Sequence, residues 1–67
     1  MEKRFTIQGA TSQYRITILR KGIYIAYYIW DKEEFRAPVL VTEGLAFKVK
    51  TAEKKARETV HFLETGE

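Results

Sequence analysis

Apolar and polar residues alternate through most of the first half of the chain with a period of two. Successive side chains of a strand leave opposite sides of a sheet, so this period predicts strands. Residues 4–8 put Phe5 and Ile7 on one side and stop at the turn-rich run Gly9-Ala10-Thr11-Ser12. In residues 14–20, Tyr14, Ile16 and Ile18 share one face, while Arg15, Thr17 and Leu19, with Lys21 beyond them, share the other. Arg20-Lys21-Gly22 then reads as a short hairpin loop with glycine where positive φ is needed. The run GIYIAYYIWD, residues 22–31, returns as a third strand, with Ile23, Ile25, Tyr27 and Ile29 alternating against Tyr24, Ala26, Tyr28 and Trp30. One of these sets makes a core, and the other needs a separate explanation.

The polar run Asp31-Lys32-Glu33-Glu34 turns the chain, and residues 35–42, opening on Phe35, come back as a fourth strand. Pro38 has no N–H to give to a ladder, which places that strand at an edge or a bulge, and Glu43-Gly44 breaks it. Residues 45–50 fit two patterns. Extended, they point Leu45, Phe47 and Val49 inward and Lys48 and Lys50 outward; helical, they join Leu45 and Val49 to a stripe with Ala52, Ala56, Val60 and Leu63. A helix that long leaves the Phe47 ring exposed, so an extended piece is expected, followed by a helix from Thr51 to about Glu64. Thr51 is its expected N-cap, Glu53 lies in its first turn and four residues before Arg57, and Gly66 falls just past its end. Ala52, Ala56, Val60 and Leu63 form its buried stripe. These elements define an α+β fold: a four- to five-stranded antiparallel meander with one C-terminal helix packed on one face.

Composition limits what such a fold can be. With 67 residues, 45% of them hydrophobic and 31% charged, the chain supports a single domain over residues 1–67. A lone core of this size supplies about 3–5 kcal/mol, and with no cysteine and no Cys/His cluster neither a disulfide nor a zinc site adds to it. Self-association is the expected extra support. Glu2, Lys3 and Arg4 precede no apolar run suited to a secretory signal, and the longest apolar run, residues 23–30, is too short to cross a bilayer as a helix. Cytoplasm is the expected compartment.

Catalytic chemistry has little to draw on. His61 is the only histidine and is expected on the wet side of the helix; Asp31, Glu33 and Glu34 sit where a turn wants such residues. Neither a phosphate-cradling glycine loop nor a nucleophile elbow occurs. No enzyme activity, metal, cofactor or small-molecule substrate is therefore expected. The net charge of +3 is unevenly placed, since residues 1–30 carry five basic side chains against one acidic, and the rest of the chain seven against eight. If Phe5, Ile7, Ile23, Ile25 and Ile29 face the helix, the opposite face gathers Arg4, Thr6, Tyr24, Tyr28 and Trp30, with Lys48 and Lys50 near its margin. The second strand adds either Arg15, Thr17 and Lys21 or the Tyr14/Ile16/Ile18 set. Cations interleaved with aromatics suit single-stranded DNA or RNA, because cations track phosphates and rings stack on unpaired bases. The same face, or a sheet edge, equally suits a protein partner of a small phage or host regulatory factor, or a second copy of the chain.

The run YRITILRKGIYIAYYIWDKEEFRAP, followed by EGLAF and a helix, resembles the positive-cofactor-four family of single-stranded DNA-binding coactivators and their bacterial and phage relatives. Tyr14-Arg15 with Lys21-Gly22, then Tyr28, Trp30 and Asp31, then Glu43-Gly44-Leu45-Ala46-Phe47 carry the likeness, over residues 13–63. It implies a curved β-β-β-β-α unit, shared with the Whirly and Pur-alpha architectures, a role in transcription regulation, and dimerisation through the helix, here by Ala56, Val60 and Leu63. Glu43 stands where that family has lysine, and the third strand lacks its arginine. The nucleic-acid-binding residues expected are Arg4, Arg15, Lys21, Tyr24, Tyr28, Trp30, Lys48 and Lys50. A further alternative is insertion of a three-stranded sheet into the major groove of duplex DNA, as in integrase arm-binding domains.

Overall fold

A computed structural model of the chain describes residues 2–10, 12–32 and 37–66. Strands β1 (Glu2–Gln8), β2 (Gln13–Lys21), β3 (Tyr24–Lys32) and β4 (Val39–Ala46) precede a single helix, α1 (Val49–Thr65). The strands pair antiparallel in sequence order, so β1 and β4 are the edges of one four-stranded meander. With α1 packed on it, the sheet makes the expected α+β fold.

The β2–β3 hairpin fixes the register. Lys21 pairs with Tyr24, which leaves Gly22-Ile23 as a two-residue loop with φ of 64° at Gly22. Glycine in the first place of such a loop gives the type II′ turn, whose twist matches that of the strands it joins. The loop thus lies one residue later than Arg20-Lys21-Gly22. Ile23 becomes its tip and is 86% exposed, which corrects its expected place in the core, because a loop residue drops out of the strand alternation.

From this register Ile16 lies opposite both Phe5 and Ile29, and Ile18 lies opposite Tyr27. Ile16, Ile18, Ile25 and Ile29 are fully buried beneath Ala52, Ala56 and Val60 of α1, with Tyr14 and Ala46 completing the core. Small residues on the helix let it approach the sheet closely over the four isoleucines. Each isoleucine buried in this way contributes roughly 1.5–3 kcal/mol. Along β1, Lys3 pairs with Glu53, and the Arg57 guanidinium lies 5.0 Å from the centre of the Phe5 ring.

Boundaries after residue 38 differ from those expected. Pro38 immediately precedes β4, an edge strand that runs through Glu43-Gly44 and does not stop there. Gly44 lies opposite Tyr27, and a Cβ at that position would collide with the Tyr27 hydroxyl, so this glycine serves close approach of a ring. Helix α1 starts at Val49, with extended Lys48 as its N-cap and no side-chain capping bond, which corrects Thr51 as cap and places Glu53 beyond the first turn. Residues 45–50 are divided accordingly: Ala46 points inward at the end of β4, Phe47 and Lys48 form a bend, and Val49 packs on the core as a helical residue. Leu45 and Phe47 are both exposed, Phe47 to 79%. At the other end Gly66 adopts φ of 77° and donates its N–H to the Phe62 carbonyl over 2.7 Å, a left-handed cap. Asp31 and Lys32 close β3 and do not form a turn; Glu33, Glu34 and Phe35 lie outside the described residues.

Candidate nucleic-acid interface

The face of the sheet away from α1 carries the other half of each alternation. Arg15 lies opposite Trp30, Thr17 opposite Tyr28, and Lys21 opposite Tyr24; on the next strand Arg4 lies opposite Thr17 and Thr6 opposite Arg15. Of the two sets in β2, Arg15, Thr17 and Lys21 therefore join the aromatic residues, and Tyr14, Ile16 and Ile18 enter the core. The alternation by itself leaves both outcomes open, because it does not give the register of β2 against β3. The two-residue loop does.

A depression of about 790 Å³ is lined by Arg4, Thr6, Arg15, Tyr28, Trp30 and Pro38, among others. Glu2 also lines it and holds Arg4, with 3.1 Å between Oε2 and Nε. Both side chains are largely exposed, and a pair of this kind is worth about 0–1 kcal/mol, so Arg4 is readily drawn to a phosphate. Trp30 is placed by an irregularity in the sheet. Ile29 lies opposite Thr42 but Trp30 lies opposite Leu40, which leaves Val41 as an extra residue on β4. A bulge of this kind bends the strand and re-aims neighbouring side chains.

A second hollow, of about 350 Å³, adjoins the first at Tyr28 and includes Lys21, Tyr24, Ala26, Glu43 and Leu45. Ala26 leaves the space between two tyrosines that lie four residues, about 13 Å, apart along β3. Lys21 reaches back over this gap, placing Nζ 5.6 Å from the centre of the Tyr28 ring. Its hydrogen bond to the Tyr28 hydroxyl, with smaller contributions from Tyr28, Tyr24 and Glu43, raises the ammonium pKa above the usual lysine range. Lys21 thus places its ammonium beside an aromatic ring.

Lys48 and Lys50 fall elsewhere, because the early helix start removes them from the sheet. Lys50 is an exposed residue of the first helical turn, whereas Lys48 lines a third hollow, of about 400 Å³, at the corner between β4 and α1. Phe47 and Lys55 share that corner, and Lys55 Nζ donates to the Leu45 carbonyl over 3.3 Å. Strand alternation did not mark Lys55; the available signal was helical, since it follows Lys48 by seven residues, or two turns. Among the three residues expected at a dimer contact, Ala56 and Val60 are buried against the chain's own sheet, which removes them from that role; Leu63, 39% exposed, lies beyond the end of the buried stripe beside exposed Phe62.

Away from this face, Tyr14 sits under the end of the helix. Burial, followed by its hydrogen bond and proximity to Glu64, raises its pKa above the usual tyrosine value. His61 is exposed on α1. Among the described residues no group of three His, Cys, Asp or Glu side chains is arranged to hold a metal, and no helix is long and apolar enough to cross a membrane. Compared with known proteins, the chain matches no family model, no curated protein and no solved structure, so its candidate site is defined by its own residues.

Proposed function

We propose that the chain is a small, non-enzymatic, cytoplasmic module that binds single-stranded nucleic acid on the face of its sheet away from α1. One observation carries this reading: Arg15, Thr17 and Lys21 lie directly across from Trp30, Tyr28 and Tyr24, so cations and rings alternate over one surface. Tyr24, Tyr28 and Trp30 would stack on bases while Arg4, Arg15 and Lys21 neutralise phosphates. Stacking contributes about 1–3 kcal/mol per base and tolerates any sequence, so little sequence preference is expected. The likeness of the run from Tyr14 to Phe47 to the positive-cofactor-four family, with its single-stranded DNA use, supports the same reading.

Trp30 is the only tryptophan, and it lies on the proposed face, which makes it the natural reporter. Titrating a short oligonucleotide at low salt should quench its fluorescence, and three neutralised phosphates give a slope of log K on log salt near about −2. Tyr28→Ala should weaken binding by about 1–3 kcal/mol, read at a temperature and urea concentration where circular dichroism shows the variant still folded. No quench at low salt by DNA or RNA would sink the proposal, and preference for duplex over single strands would favour the major-groove alternative.

A second reading, a contact with another protein or a second copy of the chain, draws on the β4 edge, where Val39, Leu40 and Val41 are all exposed. An edge strand with adjacent aliphatic residues invites a further strand. Binding there would leave Trp30 emission unresponsive to oligonucleotide and change little with salt.

A further inference from the structure

The three hollows share walls. Tyr28 belongs to the first and second, and Tyr24 and Leu45 belong to the second and third. They form one track that starts between Arg4 and Trp30, passes Lys21 and Tyr24, and leaves the sheet at the corner of β4 and α1. Phe47 stands at that corner, 79% exposed and outside the core cluster, flanked by Lys48 and Lys55. A phenylalanine this exposed in a short bend is costly to leave in water, and nothing in the packing of the chain requires it there. Its surroundings repeat the chemistry of the sheet face, an open ring with cations beside it.

We infer that the track continues past the sheet and that Phe47, Lys48 and Lys55 form an additional nucleotide subsite, with Phe47 as a stacking ring and the two lysines as phosphate contacts. This inference rests on the nucleic-acid reading and adds a length to it. The occupant is the same single strand, extended by the nucleotides that reach from Tyr24 to Phe47. Among the described residues, Glu43 and Glu2 are the acids that line the track and neither lines the Phe47 corner, where the charged side chains are Lys48 and Lys55.

The test is a ladder of oligothymidylates of increasing length, titrated against the wild-type chain, Phe47→Ala, Lys55→Gln and Tyr28→Ala. Affinity should rise again once the oligonucleotide is long enough to pass Tyr24, and the salt slope should steepen from about −2 to about −3.5 as two more phosphates are neutralised. Phe47→Ala should cost roughly five- to a hundredfold on long oligonucleotides and nothing on the shortest that bind. Lys55→Gln should remove about 0.7 from the slope on long oligonucleotides alone. Losses from both corner variants that are absent at every length, or equal at every length, would overturn the subsite while Tyr28→Ala still weakens binding. A wild-type chain that binds none of the ladder at low salt overturns the underlying reading as well. Phe47 and Lys55 are exposed, so unchanged circular dichroism is expected of both variants.

Discussion

At the scale of single residues, the proposed face holds an acid among its bases. Glu43 lies opposite Tyr28 across the β3–β4 pair and lines the hollow that Lys21 reaches into. A carboxylate there would repel a phosphate of the proposed ligand and compete for Lys21. Glu43→Gln should therefore tighten oligonucleotide binding several-fold at low salt, an advantage that shrinks as salt screens the charge; equal affinities of the two proteins at low salt would show that the strand does not pass this point. The position was legible in the sequence as the departure from a lysine in the resembling family, but its partner was not. Only the register brings Glu43 against Tyr28. Ala26 was similarly visible as the small residue in a run of large ones, and its meaning as a gap between two tyrosines comes from knowing that Lys21 crosses there.

At the scale of elements, the two-residue loop at Gly22-Ile23 decides which side of β2 faces the helix. Gly22→Ala places a side chain at φ of 64°, with open space around it but a disfavoured backbone. A loss of about 1–2 kcal/mol in urea unfolding is expected, with oligonucleotide affinity retained in the folded protein. Larger loss of affinity than of stability would mean that the loop itself touches the ligand. The meander order, the burial of Ile25 and Ile29, and the Ala52/Ala56/Val60 stripe followed from periodicity, because long alternating runs leave few alternatives, whereas the burial of Ile16 and Ile18 follows only from the register that the loop sets. The region after Pro38 did not follow from periodicity either. Gly44 looks like a breaker when its packing partner Tyr27 is unknown, and a helix that begins on Lys48 without a capping side chain gives no local signal of its start. Two misplaced lysines and the exposed Phe47 follow from that one boundary.

At the scale of the whole molecule, the helix is fastened to the sheet at both ends, by Lys3 with Glu53 near its start and by Tyr14 with Glu64 near its finish. The raised pKa of Tyr14 has a definite sign. Above the ordinary tyrosine value of about 10 the unfolded chain releases this proton while the folded chain still holds it, so stability falls as pH rises through that window. Urea midpoints at pH 8 and pH 11 should differ more for the wild-type chain than for Tyr14→Phe; identical differences would remove Tyr14 from the alkaline loss. The two edges of the sheet differ as well. Strand β1 opens with Glu2, Lys3 and Arg4, whereas β4 opens with Val39, Leu40 and Val41. Only one edge opens with a run of exposed aliphatic residues. Joining β4 to β4 of another chain about a two-fold axis would leave the charged β1 strands as both outer rims, so growth through this edge stops at two chains instead of running on into a fibre.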